Sequence, residues 1–452
     1  MKRAPFPFIH PQLALDRVLI CPGHAMGFAP STFSHRYPMT HDQWVKTELE
    51  AFSKAHGFVR TPLQEIESRL GRLRKHMGER EIEALLVAEK MDCFYFSGTA
   101  QDALLFIPLE GQPLLLVKRE YERARIESPL EHAVRIDSFK ELPSLIKEHY
   151  RKIPASIGLE MDLLPVKEYF RYESLFPGSK LVDASGVIRN TRKTKSRFEV
   201  ELMKKAGQIG KDVYHEAAKI LRQGMTEIQF AGLLEAAAKS RGHEGLLRVR
   251  SFNYEAYTWH VLSGVTGGMV SQSDSPMGGL GLSPAFPVGA SLKVMRASEP
   301  IVVDFGICYH GYQADETRIF SIGKMGRKFQ DAYKACREIH DMVLYETRPG
   351  SDCESLFLKS VKLAEKLGYR DSYLGPKGLQ CRFVAHGIGL ELNEPPFLAQ
   401  GQSYPLEQGM TFAVEPKIVF PGEGSVGLEN TVLVTKEGCE ILTPIDMEIM
   451  EV

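Results

Sequence analysis

The sequence lacks the features that define several protein classes. Its seven cysteines are odd in number and scattered, with no Cys-X-X-Cys pair, which argues against a disulfide framework and favours reduced thiols in a cytoplasm. No apolar run approaches the roughly 20 residues that a membrane-spanning helix needs. The formal net charge is −1, so the whole chain offers no electrostatic attraction to nucleic acid or to an anionic membrane. We expect a cytoplasmic protein with neither kind of partner.

What is present fits a chain of two domains and an appendage. A length of 452 residues is too great for one compact core, and an apolar content of 43% supports sizeable cores. Residues 1–58 are rich in proline, histidine and aromatics with weak periodicity, and they contain no apolar core long enough for a secretory signal. We interpret them as an extension, either disordered or upstream sequence ahead of a true start at Met39.

Residues 59–190 predict an α/β domain. Thr61 and Pro62 indicate the start of a helix, with Thr61 and Gln64 as a capping box. Short β-like runs follow at 84–87, 93–96, 104–107 and 114–117.

A boundary is predicted near residues 189–195, because this basic run is typical of a solvated linker. Ser196 and Glu199 then form a second capping box that opens an amphipathic helix. Residues 191–452 are therefore predicted to form the second domain, which makes the chain α/β (α+β) overall.

Two aspartates in the second domain stand on a predicted β-hairpin, residues 301–320. A loop at Tyr309-His310 places Asp304 directly opposite Asp315, whereas a loop at His310-Gly311 makes them diagonal neighbours on one face. Opposed Cβ atoms lie about 5 Å apart, which suits carboxylates that bridge metals roughly 3.5–4 Å apart.

A second pair of acids repeats this arrangement. The apolar runs 410–420 and 425–435 are joined by a loop centred on Gly422, which makes Glu415 face Glu429. His386 is followed by glycines that permit close approach of a strand or ligand. A buried unpaired carboxylate costs several kcal/mol, and a cation removes that cost. The five side chains therefore predict a metal site of oxygen ligands plus one imidazole.

The segments VDFG, GYQADETRIF, HGIGLELNEPP, AVEPKI and GLENTVLVT resemble the signature blocks of the M24 metallopeptidases, a family that includes aminopeptidase P, prolidase, methionine aminopeptidase and creatinase. The resemblance covers roughly residues 60–452. It implies a creatinase-like N-terminal α/β domain followed by a pita-bread domain, whose curved antiparallel sheet holds a dinuclear metal site.

The resemblance also implies roles for particular residues. The resemblance implies two divalent metal ions, with manganese expected first and cobalt, iron or zinc as alternatives. Their implied ligands are Asp304, Asp315, His386, Glu415 and Glu429. The implied reaction is hydrolysis of the N-terminal residue of a peptide, at Xaa-Pro bonds, by a metal-bridging hydroxide with Glu415 as general base. A homodimer is a further expectation from the family.

The sequence departs from the pattern of proline-cleaving members at three histidines. Asn393 and Arg382 stand where two of them are usual, and no histidine lies at the usual distance ahead of Asp304. His260 is the nearest upstream candidate, with a different spacing, and we name it as a catalytic residue. Arg382, Asn393 and Tyr312 are predicted to contact substrate, Arg382 by supplying a positive charge for a substrate carboxylate.

These departures leave other functions open. A small-molecule C–N hydrolase resembling creatinase, or a metal-dependent lyase, would use the same scaffold without the histidines. A binding protein that retains the metals is a third reading. Methionine aminopeptidase is disfavoured because those enzymes usually lack a full N-terminal domain such as residues 60–190.

Overall fold

The computed structural model describes residues 40–56, 59–252, 259–272 and 275–452. The proposed start at Met39 and the rest of residues 1–39 lie outside this part. Residues 41–56 of the predicted extension form a helix that packs against the helix Tyr121–Glu127. The helices are α1 (His41–His56), α2 (Leu63–Glu79), α3 (Lys90–Ser97), α4 (Tyr121–Glu127), α5 (Leu142–Tyr150), α6 (Val166–Leu175), α7 (Ser185–Arg192), α8 (Arg197–Ile220), α9 (Glu227–Lys239), α10 (Arg327–Glu346) and α11 (Cys353–Lys366).

The strands form two large sheets and one small one. They are β1 (Ala84–Val87), β2 (Ala103–Pro108), β3 (Leu114–Val117), β4 (Ala133–Arg135), β5 (Ser156–Leu159), β6 (Lys180–Asp183), β7 (Trp259–Ser263), β8 (Ile301–Tyr309), β9 (Tyr312–Ser321), β10 (Phe383–Gly387), β11 (Glu394–Ala399), β12 (Thr411–Val414), β13 (Lys417–Phe420), β14 (Gly424–Gly427), β15 (Glu429–Val434), β16 (Cys439–Ile441) and β17 (Met450–Glu451).

The N-terminal sheet has six strands in the order β4-β3-β2-β1-β5-β6, with parallel and antiparallel pairs. Three of the four predicted β runs are strands, but residues 93–96 lie in α3, so that prediction was wrong. A short apolar run does not distinguish strand from buried helix. The carboxylate of Glu89 favours the helix here, because this carboxylate accepts hydrogen bonds from the backbone N–H groups of Met91 and Asp92 and caps α3.

The second sheet has nine strands, ordered β11-β10-β12-β15-β9-β8-β7 with β16 beside β15 and β17 beside β9. All pairs are antiparallel except the short β17–β9 pair. Helix α8 packs against β8 and β9, and its Tyr214 hydroxyl lies 2.8 Å from the carbonyl oxygens of Val303 and Glu316, to which it donates. The predicted Ser196–Glu199 capping box begins α8, as expected.

The basic run between the domains is not a solvated linker. Arg189 and Arg192 lie within α7, and the side chains of Arg192 and Lys195 are buried in ion pairs. Arg192 contacts Asp92 of the N-terminal domain and Glu394 of the second sheet, so this basic run connects the two domains through buried ion pairs. The linker prediction failed because contacts with acids about 100 and 200 positions away cannot be read from local composition.

No helix in the described ranges combines the length and apolar character that crossing a membrane requires.

Candidate active site

Strand alternation places the two aspartates on the face of the hairpin opposite α8. Val303 and Phe305 pack with α8 in one apolar cluster, so Asp304, between them, points to the other face of the sheet. Asp304 pairs with Thr317 and Gly306 with Asp315, which makes the two aspartates diagonal neighbours. The structure therefore selects the second of the two predicted loops. His310 and Gly311 form it, both with positive φ (49° and 81°), as a two-residue hairpin turn requires.

The two glutamates face each other across the neighbouring strands. Val414 pairs with Asn430 and Lys417 with Gly427, so the same register, continued between them, sets Glu415 opposite Glu429. This is the arrangement expected from a loop centred on Gly422. His386 lies on β10 beside Ala413 of β12, one strand further along the sheet.

These strands bring His386 and three carboxylates together. The Nε2 atom of His386 lies 3.5 Å from Glu415 Oε1, 3.6 Å from Glu429 Oε1 and 3.9 Å from Asp315 Oδ2. Asp315, His386 and Glu429 are all buried, and one ligand atom from each lies within 4.8 Å of the others. Thr317 donates to Glu429 Oε2 at 2.7 Å and fixes that carboxylate.

A lysine that the sequence reasoning overlooked completes the cluster. Lys417 Nζ lies 2.8 Å from Asp304 Oδ2, 2.6 Å from Glu415 Oε2 and 3.4 Å from Glu429 Oε2. Asp304 thus contacts an ammonium group and does not join the group around His386. The signal was present in AVEPKI, where a lysine in an apolar strand follows Glu415 by two positions.

The charges of the cluster are not balanced by Lys417 alone. Burial, with Glu429 and Asp304 nearby, raises the pKa of Asp315 well above its usual range. Burial also raises the pKa of Glu415 to about 7. Burial acts in the same direction on Glu429, but Lys417 and His386 outweigh it and hold its pKa at about 2. The cluster therefore carries more carboxylates than Lys417 and His386 together keep ionised.

The donor set fits a divalent cation on the His386 side. Glu429 Oε1 is buried and makes no hydrogen bond among the described residues, so a ligand position there is open. One imidazole and carboxylate oxygens suit manganese, iron, cobalt or zinc. Asp315, His386, Glu429 and Oε1 of Glu415 are the groups that would hold the ion.

The cluster lies on the wall of a cavity of about 760 Å³ that both domains line. His260, Arg382 and Asn393 all line it. His260 pairs with Asp304 in the β7–β8 register, and its Nδ1 lies 4.0 Å from Asp304 Oδ2. Burial lowers the pKa of His260 to about 4, so its imidazole is neutral at pH 7. Strand pairing brings it to the site even though its sequence spacing differs from the family pattern.

Tyr312 does not lie in this cavity, which corrects its predicted contact with substrate. Its side chain is buried at the domain boundary, where its hydroxyl donates to Glu199 Oε1 at 3.1 Å and accepts from Arg69 at 2.9 Å. The hairpin position was read correctly, but alternation along β9 turns Tyr312 away from the cavity. Tyr312 therefore has a structural role at the domain boundary.

Gly387 keeps β11 close to the histidine. A Cβ at this position would overlap the backbone carbonyls of Glu394 and Pro395. We expect Gly387→Ala to separate β10 from β11, lower stability by about 1–3 kcal/mol and weaken Mn²⁺ binding, because His386 is the adjacent residue. Thermal unfolding and a Mn²⁺ titration measure both effects.

The matched control is Gly71→Ala, since Gly71 lies in α2 with open space around its Cβ position. This change is expected to be neutral or stabilising by up to about 1 kcal/mol. Unchanged Mn²⁺ affinity in Gly387→Ala would contradict the positional argument.

The curved sheet and its buried Asp/His/Glu group define a metal-dependent hydrolase. Residues 201–436 match the model of metallopeptidase family M24, and residues 69–194 match the creatinase/prolidase N-terminal domain. The chain belongs to metallopeptidase family M24, and its C-terminal sheet is that of the pita-bread fold.

Relatives of known sequence and structure agree. The chain is 27% identical over 389 residues to an Xaa-Pro dipeptidase of Pyrococcus furiosus, covering 85% of this chain and 100% of that protein. An X-Pro aminopeptidase from Thermotoga maritima superposes with a TM-score of 0.70 at 26% identity, covering 85% of this chain and 99% of that one. An Xaa-Pro dipeptidase from Bacillus anthracis gives a TM-score of 0.73 at 23% identity, covering 86% and 100%, and supports the fold.

Proposed function

We propose that this metal-dependent peptidase hydrolyses the bond between an N-terminal residue and proline in short peptides. The observation that carries the proposal is the buried Asp315–His386–Glu429 group, with Glu415 3.5 Å from His386, on the wall of a cavity of about 760 Å³. Cavities of this size enclose small ligands. Relatives named Xaa-Pro dipeptidase and X-Pro aminopeptidase support proline as the second residue.

A bound divalent ion would polarise the scissile carbonyl and raise the acidity of a water. Glu415 is proposed as the general base that takes the proton from that water and passes it to the leaving nitrogen. The carboxylate is held beside the proposed metal site, with Oε2 2.6 Å from Lys417 Nζ and Oε1 3.5 Å from His386 Nε2. His260, neutral and beside Asp304, is proposed to position substrate near the same carboxylates.

Substrate selection is proposed to lie at the cavity mouth. Arg382 and Asn393 are exposed cavity residues, one cationic and one with an amide that both donates and accepts hydrogen bonds. Arg382 would pair with the terminal carboxylate of a short peptide. Asn393 would bind a backbone group of the substrate.

The cellular setting is also a proposal. Five cysteines, at positions 93, 308, 336, 353 and 439, are free thiols, which supports a reducing compartment such as a cytoplasm. Manganese as the resident ion and a homodimer as the assembly stay predictions from the family.

The function is tested by mass spectrometry of peptides incubated with Mn²⁺-loaded protein. The library contains Xaa-Pro dipeptides, Xaa-Pro-Xaa tripeptides and longer peptides, each with a partner in which alanine replaces proline. We expect release of the N-terminal residue from the proline members and little from the alanine members. If no peptide is cut while Mn²⁺ is bound, the peptidase proposal fails and a creatinase-like C–N hydrolase or a lyase becomes the reading to test.

A further inference from the structure

Lys417 occupies the side of the cluster that faces Asp304. Its side chain is 1% exposed, and its ammonium group has three carboxylate partners, on Asp304, Glu415 and Glu429. An ammonium group has three donors, and here three carboxylates surround it. The contact at Glu429 is the longest, at 3.4 Å, and that oxygen also accepts from Thr317.

The two glutamates divide their oxygens between two sides. Glu415 and Glu429 each direct Oε2 to Lys417, and each directs Oε1 to His386 Nε2, at 3.5 and 3.6 Å. The cluster therefore has two cation positions that share the same pair of carboxylates. One already contains the Lys417 ammonium, and the other is bordered by His386 and Asp315.

A metal ion on the Asp304 side conflicts with this arrangement. Such an ion would bind the carboxylate oxygens at about 2.0–2.2 Å. Lys417 Nζ already lies 2.6 and 2.8 Å from two of these oxygens, so the ion and the ammonium would compete for one place. Displacing the lysine would leave a buried ammonium group without its carboxylate partners, which is strongly unfavourable.

We propose that Lys417 is a built-in cation in place of a second metal, and that the chain binds one divalent ion, on the His386 side. Asp315, His386, Glu429 and Oε1 of Glu415 hold that ion. Asp304 is a partner of Lys417 and not a metal ligand. This proposal differs from the expectation of two metals that the resemblance implies, and it concerns ion binding alone, whatever the substrate is.

The test is a count of bound ions. Chelator-treated protein is titrated with Mn²⁺ and examined by native mass spectrometry and by electron paramagnetic resonance. For the unmodified chain we expect one Mn²⁺ per chain at saturation, with the spectrum of an isolated ion. For Lys417→Ala, which frees the Asp304 side, we expect a second Mn²⁺ and the spectrum of an exchange-coupled pair.

Lys195→Ala is the matched control. Lys195 is equally buried and also neutralises a carboxylate, Glu394 at 2.5 Å, but it lies outside the cluster. One Mn²⁺ per chain is expected for this variant. The ion count does not depend on the substrate, so a failure of Xaa-Pro cleavage leaves this result unaffected.

Two outcomes would overturn the proposal: two coupled Mn²⁺ ions in the unmodified chain, or a single ion in folded Lys417→Ala. If that variant does not fold, anomalous diffraction from Mn²⁺-loaded crystals of the unmodified chain decides. One peak beside His386, with Lys417 still in contact with Asp304, supports the proposal, and a peak beside Asp304 refutes it.

Discussion

Replacement of Glu415 by alanine is expected to lower kcat for an Xaa-Pro dipeptide by a factor of about 10²–10⁴ or more, the range that a positioned general acid–base group supplies. The variant also loses one of the oxygens directed toward His386 Nε2, so the metal site itself is weakened. Steady-state kinetics at saturating Mn²⁺, with the bound metal measured in the same samples, separates the two effects.

Glu423→Ala is the control for this substitution. Glu423 lies nearby in sequence, in the exposed loop between β13 and β14, where it pairs with Lys328 on the surface. Its removal is expected to leave kcat unchanged. If Glu415→Ala kept the kcat of the unmodified protein with its metal bound, Glu415 would not be the base.

Replacement of Arg192 by methionine is expected to lower the free energy of unfolding by about 3–5 kcal/mol. The guanidinium of Arg192 is 3% exposed and contacts Asp92 at 2.7 Å, Glu391 at 3.0 Å and Glu394 at 2.6 Å. Methionine preserves much of the volume but leaves buried carboxylates short of a counter-charge. Denaturation in urea, followed by circular dichroism, measures the loss.

The neighbouring Lys193→Met variant shows what an ordinary ion pair contributes. Lys193 pairs with Glu407, whose side chain is half exposed, so its loss is expected to cost no more than about 1 kcal/mol. Equal stabilities of the two variants would show that the buried charges around Arg192 are solvated or rearranged on mutation.

The hairpin shows how far the sequence alone could determine the site. Alternation along 301–320 correctly put both aspartates on one face, and the pattern left two loops open. The choice depends on which residues tolerate positive φ, and Gly311 does so without cost whereas Tyr309 does not. That argument was available from the residues and would have selected the diagonal arrangement.

Other features of the site and the domain boundary could be identified only from the folded structure. His260 reaches the cavity because β7 pairs with β8, a contact that no fixed sequence spacing expresses. Arg192 meets Asp92 and Glu394 only when the domains are docked, so a basic run that reads as a linker becomes part of the interior.

Lys417 is a different case. It follows Glu415 by two positions in the apolar run 410–420, and alternation along a strand predicted there could have placed it in the metal cluster. A match to the five known ligand positions does not predict whether a cationic side chain such as Lys417 lies between the ligands.

The charged contacts between the domains also constrain how this enzyme could be recombined with its relatives. Asp92 comes from the N-terminal half, whereas Arg250 and Glu391 come from the C-terminal half, and Arg250 bridges to Asp92 at 2.7 Å. A chimaera that takes one half from another M24 protein would join acids and bases that were not selected together. An exchange of halves within the family therefore requires that these charged residues be transferred together.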